Sequence, residues 1–282
     1  MQTLLEENKQ ITNKKLILID VAGTIQTIDG KIPESAIQAI RKARSNGHLV
    51  FLVTRRAKGN VENDIFSIGF DGMIGGGGSY IEYNGQILKN QVFALHDLQR
   101  IVAYLQSKNL EFYIEASDGL YGSYGFTKRG VQALEEYGLQ NPIVTDVFPD
   151  MTFPETLVQP NAIKINYILE SYDDYLDFKE NFPEFKCNTW GGKEGQAIFG
   201  DCLVENIKIQ STIEELADFL EIAKTDIISI GDSKVDIPMF EASGLSICMG
   251  SGCQKAKEAA DWITRDTEND GLYHALEHFN II

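Results

Sequence analysis

"LILIDVAGTIQTIDG", residues 16–30, opens with four apolar residues, ends that run at Asp20 and turns at Gly23. A Leu- and Ile-rich run of this length reads as a buried strand, and this one delivers a carboxylate to a loop. A carboxylate used as a nucleophile in such a place usually wants a second one two residues on, to move protons. Position 22 is alanine. What Asp20 can do alone depends on the rest of the chain.

Outward from that strand, strand-like and helix-like segments alternate. Pro33 fits the first helical position of "PESAIQAIRKARSNG", with Ala36, Ile37, Ile40 and Ala43 on one face and Asn46-Gly47 as the stop. "HLVFLVT" is a near-continuous apolar strand, as expected when both faces are covered. A short helix around 61–68 and a strand at 72–74 follow, and the alternation predicts a parallel α/β sheet. It returns near the end of the chain. Thr212 and Glu215 read as a capping box before "IEELADFLEI", and "DIISIGD" is an apolar strand ending at a carboxylate. "PMFEASG", "LSICMG", "ADWIT" and "GLYHALEHF" continue the pattern.

Between these halves the texture changes. Strands such as "EFYIEA", "GLYGSYG" and "AIKINYIL" are shorter and more alternating, and "HDLQRIVAYLQSKN" and "YDDYLDFKENF" are amphipathic helices. The reading is a Rossmann-like parallel-sheet core at 15–84 and 201–282, with an α+β cap inserted at 85–200 and folded over it. Gly75–Gly78 reads as the flexible joint where the chain leaves the core, with a second joint near Gly200.

Composition narrows the partners. The 282 residues suffice for a large core with a satellite domain, and 43% are apolar. A net charge of −16 without any Lys/Arg run repels nucleic acid and anionic membranes, so neither is expected as a partner. A small anionic substrate would need a local cationic pocket. Cys187, Cys202, Cys248 and Cys253 form no closely spaced pair and read as reduced thiols rather than zinc ligands. The first fourteen or so residues are polar and do not read as a signal peptide, and no apolar stretch approaches the ~20 residues of a membrane span. A soluble cytoplasmic protein, monomer or homodimer, is expected.

Asp20, Thr54, Lys208, Asp232 and Asp236 lie far apart in sequence, but four of them fall at predicted strand ends or near a helix start. In an open parallel sheet those ends converge on one crevice, where ligands bind. Three carboxylates, a hydroxyl and a cation suit a divalent metal together with a phosphate. Each residue also has a plainer reading. Thr54 can cap a turn, Lys208 can be solvated before an acidic helix, and Asp232 and Asp236 can cap the helix beginning near Pro238. His96, His274 and His278 read as surface or boundary residues, and Tyr121, Tyr124 and Phe126 as a packed strand face.

The order of the pieces resembles the haloacid dehalogenase superfamily, specifically its Cof-type sugar phosphatases, whose cap lies between the second and third motifs. "DVAGT" stands for the family's Asp-x-Asp-Gly-Thr, "VTRR" for its Thr-Gly-Arg, and "GDSKVD" for Gly-Asp-x-x-x-Asp. Lys208, in "ENIKIQSTIEEL", falls where the motif-three lysine precedes a helix, and "ENDGLYHALEHF" resembles the closing segment. The resemblance implies a Mg²⁺-dependent phosphatase of a small phosphorylated metabolite such as a sugar phosphate. Asp20 would form an aspartyl-phosphate and bind Mg²⁺ with the backbone carbonyl of Ala22, Asp232 and Asp236. Asp236 would also orient Lys208 or a water. Thr54, Lys208, Arg55 and the amides of Ala22 and Gly23 would grip the phosphoryl group.

Three departures qualify that picture. Ala22 cannot protonate a leaving oxygen or activate water, a loss of ~10²–10⁴-fold in rate, so capture of the phosphoryl group survives better than turnover. Arg55 replaces a glycine beside the phosphate, with Arg56 matching the family's arginine, and Ile209 replaces the glycine after the motif-three lysine. Two further readings stay open. One is a non-catalytic binding or regulatory protein. The other is a C–P hydrolase like phosphonoacetaldehyde hydrolase, which also carries Asp-x-Ala-Gly-Thr but has its cap between the first two motifs.

Overall fold

Leu16 to Ile19 are completely buried in the first strand, as a strand covered on both faces requires. The computed structural model describes residues 14–27, 29–148, 150–191, 196–204 and 207–282. The polar lead, through residue 13, lies outside them.

Strands β1 (Leu16–Asp20), β2 (Leu49–Val53), β3 (Gly72–Gly75), β4 (Tyr80–Tyr83) and β5 (Gln86–Asn90) come first. Then follow β6 (Phe112–Ala116), β7 (Gly119–Gly122), β8 (Met151–Thr152), β9 (Ala162–Ile168), β10 (Phe185–Trp190) and β11 (Phe199–Val204). The last are β12 (Ile227–Gly231), β13 (Leu245–Cys248) and β14 (Trp262–Ile263). Among the described residues they make an eight-stranded sheet, β14-β13-β12-β1-β2-β3-β4-β5, and a six-stranded sheet, β10-β11-β9-β6-β7-β8.

The chain divides into two compact units. The first holds the described residues up to Arg55, with Asn63–Leu88 and Lys208–Ile282; the second holds Arg56–Glu62 and Lys89–Ile207. In the first unit β12, β1, β2 and β3 are parallel, and successive strands spread from β1 in both directions. The strand order therefore reverses between β1 and β12. Leu16, Leu18, Phe51 and Ile74 of the sheet meet Ile213 and Leu216 of the helix Ile209–Phe219 and Met239 and Phe240 of the helix Ile237–Glu241.

Four local expectations change. Pro33 stands just before the helix Glu34–Ser45 with ψ 137°, because its fixed φ suits the extended approach as well as the first turn. Thr212 is no N-cap: the helix starts at Ile209, and the buried Thr212 hydroxyl donates to the Gly78 carbonyl at 2.8 Å. Gly75–Gly78 is not where the chain leaves the core. Positive φ at Gly76, Gly77 and Gly78 makes a tight turn from β3 into the antiparallel β4, and the same sheet continues to β5. Finally, Tyr124 is exposed, whereas Phe126 begins a helix and packs on Tyr113 and Phe148.

In the second unit β6, β9, β10 and β11 are antiparallel neighbours. One face carries Phe112, Ile114, Ile165 and Tyr167 against Leu98, Ile101 and Leu105 of the helix Leu95–Ser107 and Phe178 of the helix Tyr172–Asn181. The other face holds buried charges. Lys164 Nζ lies 3.4 Å from Glu115 Oε1 and 3.6 Å from Asp201 Oδ2, and Asn166 donates to Glu115 at 2.8 Å. Glu115 also accepts the Ala57 amide at 2.8 Å, which ties the piece Arg56–Glu62 into this unit. Burial pushes the Glu115 carboxyl up, but Lys164, the Ala57 amide, Asn166 and Asn60 together hold it below its ordinary value.

Candidate active site

Register places the site. Asp20 pairs with Val53, so Thr54 stands one residue past it, just beyond the end of β2. Ile19 pairs with Ile230, which puts Asp232 just past the level of Asp20 on the other side. The ends of β2, β1 and β12 thus bring Asp20, Thr54 and Asp232 to the point where the strand order reverses.

One ligand oxygen from each of Asp20, Asp232 and Asp236 lies within 4.8 Å of the others. Asp236 spends its Oδ2 on the loop, accepting from the Asp232 amide (3.0 Å), the Ser233 amide (2.8 Å) and the Ser233 hydroxyl (2.9 Å). Asp236 thus makes no side-chain cap on the helix Ile237–Glu241; it closes a capping box back onto Ser233, and one oxygen is left for the cluster. Asp232 is different: its Oδ1 is buried without a hydrogen-bond partner among the described residues. Such an orphan costs stability unless a ligand completes it. Hard oxygens, close spacing and that orphan fit a hard divalent cation.

The electrostatics agree. Burial, and then the Asp236 charge, push the Asp232 carboxyl up to about 6, and burial raises Asp236 against its hydrogen bonds. Below that pH the proton is bound; as pH rises from 3.8 through about 6 the cation-free protein loses stability, because the unfolded chain ionises more readily. A bound cation reverses that loss. Its affinity therefore falls as pH drops below about 6, which titration calorimetry at two pH values measures.

Gly23 keeps the crevice open. Its φ is +85°, and a Cβ there would run into the Asp232 carboxylate. Gly23→Ala is expected to lose both backbone fit and this clearance, lowering stability by about 1–3 kcal/mol. Denaturant unfolding with an unchanged midpoint would contradict it. Thr267 Oγ1 donates to the Gly23 carbonyl, holding the loop from the far side of the chain.

Thr54 is buried, with its amide on Ile74 and its carbonyl accepting from Gly77. Gly78 in turn accepts from Thr212, so the Gly76–Gly78 turn joins Thr54 to the first turns of the helix Ile209–Phe219. Lys208 directly precedes that helix and is exposed. Ala22 is also exposed, in a loop closed by Ile25 and Gln26 amides on the Val21 carbonyl. Arg55 is half-buried, and Arg56 pairs with Glu62 at 2.7 Å. Of the histidines, His96 is exposed while His274 and His278 stack on Trp262.

The sequence profile of the haloacid dehalogenase-like hydrolases matches residues 17–276, nearly the whole chain. The chain belongs to that family. Among curated proteins, this hydrolase is 24% identical over 281 residues to 5-amino-6-(5-phospho-D-ribitylamino)uracil phosphatase YwtE of Bacillus subtilis (strain 168), covering 93% of this chain and 97% of that one. Among solved structures it resembles a hypothetical protein from Geobacillus kaustophilus HTA426, with a TM-score of 0.82, 20% identity, and coverage of 95% and 100%. The subclass IIB sugar phosphatase BT4131 superposes with a TM-score of 0.73, also at 20% identity and with coverage of 95% and 100%. Among the described residues of this hydrolase no helix is long and apolar enough to cross a membrane.

The Glu115, Lys164, Asn166 and Asp201 group had no place in the sequence reading. Only part of its signal was available: Lys164 and Asn166 alternate with apolar residues in "AIKINYIL", which sets both on one face of a strand.

Proposed function

We propose that this hydrolase is a Mg²⁺-dependent phosphatase of a small phosphorylated metabolite, acting through an aspartyl-phosphate on Asp20 and turning over slowly. The observation that carries the reading is the Asp20, Asp232 and Asp236 cluster with its orphaned Asp232 oxygen. Mg²⁺, held by these carboxylates and the Ala22 carbonyl, neutralises phosphoryl charge when bound.

Asp20 attacks phosphorus; the new O–P bond forms as the ester P–O bond breaks. Thr54, Lys208, Arg55 and the amides of Ala22 and Gly23 orient the phosphoryl oxygens. Ala22 leaves the departing alkoxide to take its proton from solvent, and no side chain at 22 activates the water of the second step. The segment 85–200, as a cap, selects the substrate. A pocket that captures phosphate without turnover is the second reading, favoured by Ala22 itself. The C–P hydrolase reading needs an insertion between Thr24 and Thr54, where the described residues make only the helix Glu34–Ser45 and β2.

A panel of phosphorylated metabolites with phosphate detection, with and without Mg²⁺, tests the proposal. Mg²⁺-dependent release from at least one sugar-phosphate-sized ester is expected; no release from any moves the reading to capture. Calorimetry tests the metal site separately. Mg²⁺ gives heat with the parent and none with Asp232→Ala, and equal heats from both would remove the site as drawn.

A further inference from the structure

Two of the four cysteines oppose each other in the second unit. Cys187 of β10 and Cys202 of β11 are direct partners in the antiparallel register, so their side chains leave the same face. Directly opposed residues have Cα atoms about 4.5–5.5 Å apart, inside the span that a disulfide bridges. The Cys187 thiol donates to the Phe185 carbonyl at 3.7 Å, and the two cysteines perturb each other's ionisation.

Their surroundings differ. Cys202 is fully buried against the core beside Tyr167 and Phe178. Cys187 is half-buried on β10, the edge strand of its sheet. The neighbouring Cys202 lowers the Cys187 thiol, with Lys179 assisting, whereas burial pushes Cys202 well up. Cys187 is the thiol an outside reagent reaches and the one that ionises first; Cys202 stands ready to resolve.

We propose that Cys187 and Cys202 close to a reversible cross-strand disulfide when a small-molecule disulfide is present. The Cys187 thiolate attacks one sulfur of the reagent, whose S–S bond breaks, and one thiolate leaves and takes up the proton Cys187 lost. Cys202 then gives up its proton, attacks Cys187 Sγ and expels the second thiolate, which is protonated in turn. Two protein thiols are oxidised and one external disulfide is reduced to two thiols. The bond clamps the edge strand to the sheet. From the opposite face of that strand Asn188 donates to Asp201 at 2.9 Å and Trp190 to Asn166 at 3.2 Å, so the clamp also steadies the buried polar group.

The full-length protein is treated with oxidised glutathione, quenched in acid, denatured, alkylated and mapped by mass. Two of its four cysteines should be protected, in a linked peptide joining 187 and 202, with dithiothreitol restoring both. Amide exchange across Phe185–Trp190 should slow in the oxidised form. Cys187→Ser should abolish the protection and Cys253→Ser should leave it. Four alkylated cysteines, a persistent mixed disulfide at Cys187 or a link through Cys253 would each overturn the proposal. Should Cys187→Ser fail to fold, the parent map and the Cys253→Ser control decide it.

Discussion

Ala22→Asp raises turnover of a sugar phosphate by ~10²–10⁴-fold, the usual contribution of a positioned general acid and base. Ala22 is exposed, so the longer side chain displaces nothing, and the loop that holds it is fixed by backbone bonds to Val21 rather than by the side chain. The gain with p-nitrophenyl phosphate is smaller, because that leaving group barely needs a proton. A pH profile of kcat in the variant acquires the limb of a new carboxyl group, which the parent lacks. If turnover stays flat on every ester while the fold and Mg²⁺ binding are intact, the missing carboxylate is not the limit. Arg55 would then be the residue that closes the pocket, and the protein a phosphate-capturing one.

Asp20→Asn has the opposite effect and a larger one. The amide keeps the shape of the side chain at the end of β1 but removes both the nucleophile and an anionic ligand. Residual phosphate release should fall by at least ~10⁴-fold, in effect to background, as it does when an enzyme loses its attacking group. The melting temperature in the absence of Mg²⁺ should hold or rise, since one of three neighbouring negative charges is gone. Retained turnover in this variant would assign the attack to water or to another residue.

The parallel core could be read from the sequence because "LILID", "HLVFLV" and "DIISIGD" are continuous apolar runs, a pattern that only a doubly covered strand needs. Asp20, Thr54 and Asp232 followed from the same runs, since each closes one. What failed was punctuation. Ser/Thr-x-x-Glu marks a helix start only when the hydroxyl has no better partner, and Thr212 has the Gly78 carbonyl. Four glycines in a row look like a joint, yet here three of them supply positive φ, and Gly77 and Gly78 are tied by hydrogen bonds to Thr54 and Thr212. The Glu115, Lys164 and Asp201 group brings together strands almost ninety positions apart, and no local pattern encodes such a pairing.

Intact mass of the protein after exposure to Mg²⁺ and acetyl phosphate tests the central claim most directly. Phosphoryl capture on Asp20 requires the nucleophile and the metal site, whereas its discharge requires the group that Ala22 lacks. The parent should therefore gain one phosphoryl group that persists for the length of the measurement. Ala22→Asp should show it briefly or not at all, and Asp20→Asn never. A parent that stays unphosphorylated with Mg²⁺ bound, or one whose added phosphate survives Asp20→Asn, would contradict the account.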